Sequence, residues 1–165
     1  MDRRRLALNI AIFVVLVALA LLILNPPLWL VSTGEYDAAT VTTVDANGSE
    51  LATVDVRIAD TQSKQRVGLS RTDDLPSGAG MLFVFEDESV RYFHMKNMSF
   101  PLDMIFVAGN GTVTTIHHAP IPSATPESEL RTYGGTAKWV LEVDRGWANE
   151  TGLDVEDRIV VPADV

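Results

Sequence analysis

The chain predicts a mainly β domain, built as an antiparallel sandwich or open barrel with one or two short helices and preceded by a transmembrane helix. Three observations carry this. Short apolar stretches recur between Gly and Pro turns, only two modest helical pieces interrupt them, and Leu6 to Leu24 is apolar except for Asn9.

The apolar run comes first in the chain. Its 19 positions rise about 28 Å as a helix, close to the hydrocarbon thickness of a bilayer. Arg3, Arg4 and Arg5 precede it, Asn25-Pro26-Pro27 ends it, and no base follows before Arg57, so the expected topology is single-pass with the N-terminus inside and the domain outside. Trp29 suits the headgroup level. A cleaved signal peptide also begins with bases and an apolar core, but this core is long and no A-x-A-like pair stands before Ser32. Residues 1–31 are therefore expected to be a cytoplasmic tip and anchor whose Leu6–Leu24 partner is the lipid bilayer.

Residues 32–50 read as a linker and possible first strand, and residues 51–165 as the β domain. Thr40–Val44 and Leu51–Ala59 flank the turn signal Asn47-Gly48. Within the second stretch Val54, Val56 and Ile58 alternate with Asp55 and Arg57, giving one apolar and one wet face. Thr61–Ser70 is the best helix of the domain, with Asp60 or Thr61 as cap and Gly68 weakening its end. Leu75-Pro76 opens a Gly-rich connection to the dense apolar strand Met81–Phe85, and Glu86–Glu88 make an acidic turn.

Val90–Met95 and Leu102–Ala108 are further strands, the latter joined through Asn110-Gly111 to Thr112–His117. Pro120–Pro126 is a loop, Lys138–Val143 resumes the sheet, Arg145–Thr151 makes a helical turn or two, and Arg158–Val161 closes.

Charge and composition narrow the function. Of the 22 acids only Asp2 precedes residue 32, and of the 13 bases only the three arginines do, so the remainder has 21 acids against 10 bases and a formal charge of −11. Nucleic acid is excluded as an expected partner. Heavy acidity with scarce lysine suits a surface that stays soluble in concentrated salt. With no cysteine, disulfides, thiolate metal sites and a cysteine nucleophile are all absent. Asn-x-Ser/Thr triplets begin at Asn47, Asn97, Asn110 and Asn149, where unmodified asparagines are favoured over glycan acceptors.

The run from Gly68 to Phe106 resembles the central signature of an uncharacterised bacterial and archaeal family, domain of unknown function 192. The resemblance rests on Gly68-Leu69 with Arg71, Leu75-Pro76, Gly80-Met81-Leu82-Phe83 with Phe85, Met95-Lys96-Asn97 and Pro101-Leu102-Asp103, in that order. Gly111, Val113, Pro120, the stretch Trp139–Leu153 and Asp157 resemble the family's second half. It covers about Leu51 to Val161 and implies a compact, mostly β, jelly-roll-like fold, here in a membrane-anchored member. His94 stands where the family commonly has Trp, and Met98 where Thr is usual. No established catalytic activity comes with the resemblance.

The candidate polar cluster is Arg71, His94, Lys96, Asn97, Asp103 and Glu142. Strand alternation places His94 and Lys96 on one face, and Glu142 is an acid inside an apolar strand. If these groups converge, His94, Asp103 and Glu142 suit a divalent metal, while Lys96 and Arg71 suit a carboxylate or sugar hydroxyls. The favoured alternative is structural: Lys96 and Asn97 tie a turn, Asp103 receives backbone N–H groups, and Glu142 pairs with Arg71 or Lys96. His117 and His118 point to opposite faces and do not share a metal. Serine-hydrolase, phosphate-loop and zinc-hydrolase motifs are missing. The expected function is thus membrane-tethered, extracytoplasmic and noncatalytic, binding or scaffolding an envelope glycan, peptide or protein without a required cofactor. An envelope enzyme acting on a polar substrate, with or without a metal, is the alternative.

Overall fold

The computed structural model describes residues 3–24, 31–123 and 126–165, with side chains of the first helix from Asn9 onward. The chain divides into two compact units, Met1–Thr33 and Gly34–Val165.

In the first unit, α1 spans Arg3–Leu24. Among the described residues no helix is long and apolar enough to cross a membrane. This finding overturns the transmembrane anchor, the lipid-bilayer partner assigned to Leu6–Leu24, and the single-pass cell-membrane location. The helix stop at Asn25–Pro27 and the interfacial Trp29 lie outside the described residues.

The second unit contains one seven-stranded sheet of order β5-β4-β6-β3-β2-β1-β7. Its strands are β1 Ala38–Val44, β2 Glu50–Ala59, β3 Ala79–His94, β4 Leu102–Val107, β5 Val113–Ala119, β6 Thr132–Asp144 and β7 Arg158–Val160. The sheet is mixed, because β2 and β3 run parallel from Asp55↔Ala79 to Ala59↔Phe83. A parallel neighbour requires a crossover, supplied here by residues 60–78, which include α2 (Gln62–Val67). The antiparallel sandwich or jelly roll is therefore replaced by a curled mixed sheet, an open half-barrel with short helices. Its edge strands approach at one end, where Thr112 bridges Arg158 and Ile159 N–H donates to Gly111 O.

Local chemistry fixes most elements. Asp45 Oδ1 accepts the N–H groups of Asn47 and Ser49 in the β1–β2 turn. Thr61 Oγ1 caps α2 by accepting from Lys64 N–H. Helix α3 is short, Trp147–Thr151, and ends at Gly152 in the left-handed region.

Both sheet faces are covered, as the two-sided apolarity of β3 requires. On one face Leu82, Leu141 and Ile105 pack with Val41, Val56 and Ile159. On the other Met81, Phe83, Met104, Phe106 and Val140 pack with Leu69, Met95 and Tyr133. The second face is closed by an arm. The register of β3 on β6 jumps between Val84 and Ser89, after which Ser89–His94 pair with Ala137–Thr132. Phe93 on this arm meets Phe83 and Phe106 edge to face, at centroid distances of 4.9 and 5.7 Å. Gly135 makes the approach possible, since a β-carbon there would stand 2.7 Å from Phe106 Cγ.

Candidate functional site

The six residues of the polar cluster occupy separate places. Asp103, on β4, belongs to the face of Val143 and Val56; Glu142, on β6, belongs to the opposite face. His94 is exposed at the end of β3, paired with Thr132, and Arg71 is exposed in the crossover. Among the described residues no group of three or more His, Cys, Asp or Glu could hold a metal ion. The divalent site imagined for His94, Asp103 and Glu142 therefore does not form, because adjacent-strand alternation sends two of the three carboxyl and imidazole groups to opposite faces.

Asp103 is fully buried and fully used. Its Oδ2 accepts the N–H groups of Gly146 and Ala148, each at 3.0 Å, while Oδ1 lies 2.6 Å from His118 Nδ1. This carboxylate thus fastens the start of α3 to the start of β4 and orients an otherwise half-exposed imidazole. His117 turns to the other face, where its Nε2 lies 2.9 Å from Gly134 O and its ring packs edge-on against Phe106. Neither histidine is available as one of a metal-binding pair.

Lys96 reaches Glu127 rather than Glu142, with Nζ 2.6 Å from Oε1. Asn97 is exposed and takes a positive φ of 57°, a conformation that asparagine tolerates in a tight turn. Together they shape the tip of the arm and clasp it to the loop that follows β5.

Glu142 is different. It is 5 % exposed, its direct cross-strand partners are Met81 and Met104, and its carboxyl forms no hydrogen bond or ion pair among the described residues. Burial alone pushes its pKa from 4.5 up to about 8, with no cation contributing. The group therefore carries its proton at neutral pH.

Beside the arm tip lies a groove of about 210 Å³. It is lined by the buried Met95 and Tyr133, by Pro120, Ile121, Pro122 and Ser123, and by Glu129, Leu130 and Arg131. From sequence, Pro120–Pro126 reads only as a loop and the last long strand as beginning at Lys138, whereas β6 begins at Thr132. The local signal for the groove is the apolar pair Ile121 and Leu130 in an otherwise polar excursion.

The fold as a whole is shared with known proteins. The model of the family DUF192, described as uncharacterized ACR, matches residues 42–161, and the chain belongs to that family. No curated protein matches it. A solved structure from Sinorhizobium meliloti 1021, described as a "putative transcription regulator", is 28% identical with a TM-score of 0.68, and the match covers 78% of this chain and 97% of that one. A protein of unknown function from Novosphingobium aromaticivorans DSM 12444 is 24% identical with a TM-score of 0.66, over 78% of this chain and 89% of that one; this likeness shows the fold alone. The family membership stands without the membrane-anchored qualification, and the tethered extracytoplasmic function expected from α1 falls with it.

Proposed function

We propose that the domain is a noncatalytic binding module whose groove beside the arm tip takes one apolar side chain of an extended peptide segment in a partner protein. The carrying observation is the groove's size and lining. At about 210 Å³ it lies below the roughly 300–1,000 Å³ of sites that enclose a small substrate, which favours a single side chain over a whole molecule. Its Met, Ile, Leu and Tyr lining favours an apolar group, and Glu129 and Arg131 at its edge offer opposite charges to the peptide's flanks. A stacked sugar is disfavoured there because Tyr133 is only 3 % exposed and presents no open ring face.

The Sinorhizobium protein's description supports a regulatory role only through protein contacts, since 21 acids against 10 bases repel a phosphate backbone. The test is selection of random heptapeptides on the full chain, followed by titration of the selected sequences against Ile121→Asp. Ile121 is half exposed, so a charge there spares the core while spoiling the groove. At least a tenfold loss of affinity is expected. Equal affinity for both chains would remove the groove as the site.

A further inference from the structure

The face that holds Glu142 also gathers methionine. Met81, Met95 and Met104 are buried members of one cluster and Met98 packs against it, so four of the chain's five methionines share a neighbourhood in a protein with no cysteine. Two of them flank the acid directly. On β6, Glu142 is the register partner of Met81 on β3 to one side and of Met104 on β4 to the other.

Neighbouring strands lie about 4.8 Å apart and direct partners project to the same face, so the three side chains form a row thioether, carboxyl, thioether across the middle of the sheet. Met81 and Met104 are 0 and 1 % exposed, and Glu142 5 %. We propose that Met81, Glu142 and Met104 form a binding site for one soft monovalent metal ion, copper(I).

The donor set selects the ion. Thioethers are soft, polarizable ligands that favour copper(I), whereas hard divalent ions prefer carboxylate, carbonyl and water. One carboxylate cancels one positive charge, leaving a neutral site in an apolar interior, while a divalent ion would keep a net charge there. On binding, the Glu142 carboxyl releases its proton to solvent and copper(I) takes its place, with no change of oxidation state. Methionine alone is an adaptable core filler and explains the packing. It does not explain why a nearly buried acid, with no side-chain partner of opposite charge, stands between two of them, a placement that lowers stability.

The test uses the full chain and copper(I) held by bicinchoninate as the competing chelator. One equivalent is expected to move to the protein. Met81→Leu and Met104→Leu keep side-chain volume and should fold, and each, like Glu142→Gln, should weaken copper(I) binding at least tenfold. In native protein with carbon-13-labelled methionine methyls, silver(I) as a redox-inert analogue should move the Met81 and Met104 signals ahead of Met95 and Met98. Methyl signals that stay in place, or copper retained equally by the Met81→Leu, Met104→Leu double variant, would overturn the proposal. Ile121→Asp should bind copper(I) as native protein does, so failure of the peptide groove and failure of the metal site are read separately.

Discussion

Asp103 and His118 are direct partners across β4 and β5, and their side chains meet at 2.6 Å, carboxylate Oδ1 to imidazole Nδ1. The other carboxylate oxygen reaches 43 and 45 residues along the chain to the N–H groups of Gly146 and Ala148. One buried acid thereby joins a strand to a helix start.

That linkage sets a stability. Asp103→Ala leaves two backbone donors without an acceptor, one of them buried, and should cost about 2–5 kcal/mol in urea denaturation. Asp103→Asn retains one acceptor oxygen and should cost less. His118→Ala, which removes only the half-exposed partner, should cost about 1 kcal/mol. A His118 variant as unstable as Asp103→Ala would shift the weight of the linkage from the helix start to the imidazole.

The arm sets a second expectation, because Gly134 and Gly135 are adjacent yet differ in what a methyl group would meet. At Gly135 a β-carbon falls on the Phe106 ring at 2.7 Å, and Phe106 is fully buried. At Gly134 it meets the Tyr92 ring at 3.0 Å, and Tyr92 is exposed and free to swing aside. Gly135→Ala should therefore cost about 2–4 kcal/mol by overpacking, and Gly134→Ala under about 1 kcal/mol. Thermal unfolding of the two variants decides this, and equal losses would mean that the arm lifts away from Phe106 without penalty.

Those two glycines also explain what the sequence left hidden. Alternation made the apolar face of β2 legible, the dense run Met81–Phe85 marked the core of β3 although the strand continues through the expected acidic turn Glu86–Glu88, and the Thr61 cap and the Asn110-Gly111 turn marked their elements correctly, because each is a local interaction. Gly134-Gly135 reads as a strand breaker, yet β6 runs through it, since the closeness of Phe106 is a tertiary fact. The parallel pairing of β2 with β3 was equally invisible: a short helix and a Gly-rich connection do not announce a crossover. Asp103 was legible as an acceptor of backbone N–H groups, but not as the anchor of α3, and Glu142 was legible as odd without its methionine neighbours. The apolar run Leu6–Leu24 pointed to a membrane span, whereas among the described residues no helix is long and apolar enough to cross a membrane.

The third expectation concerns Glu142 and pH. Its carboxyl is held near pKa 8 by burial, against 4.5 for the ordinary group. The folded chain therefore keeps a proton that the unfolded chain releases between those values, so the folded state binds more protons and stability falls as pH rises. The penalty is absent below about pH 4.5 and complete above about pH 8, where the displacement corresponds to at most about 5 kcal/mol, with relaxation of the surroundings lowering it. The groups flanking the carboxyl are the uncharged Met81 and Met104, and the nearest ionisable positions in the same row are His117 beyond Met104 and Arg57 beyond Met81. Neither is among the causes of the shift. Glu142→Gln removes the ionisation and keeps the shape, so it should match native protein at pH 5 and exceed its stability at pH 8 by about 2–4 kcal/mol. Chemical denaturation at both pH values measures the difference. A variant whose advantage is the same at pH 5 and pH 8 would show that the carboxyl does not titrate within the fold, and that its burial is relieved by a group other than a proton.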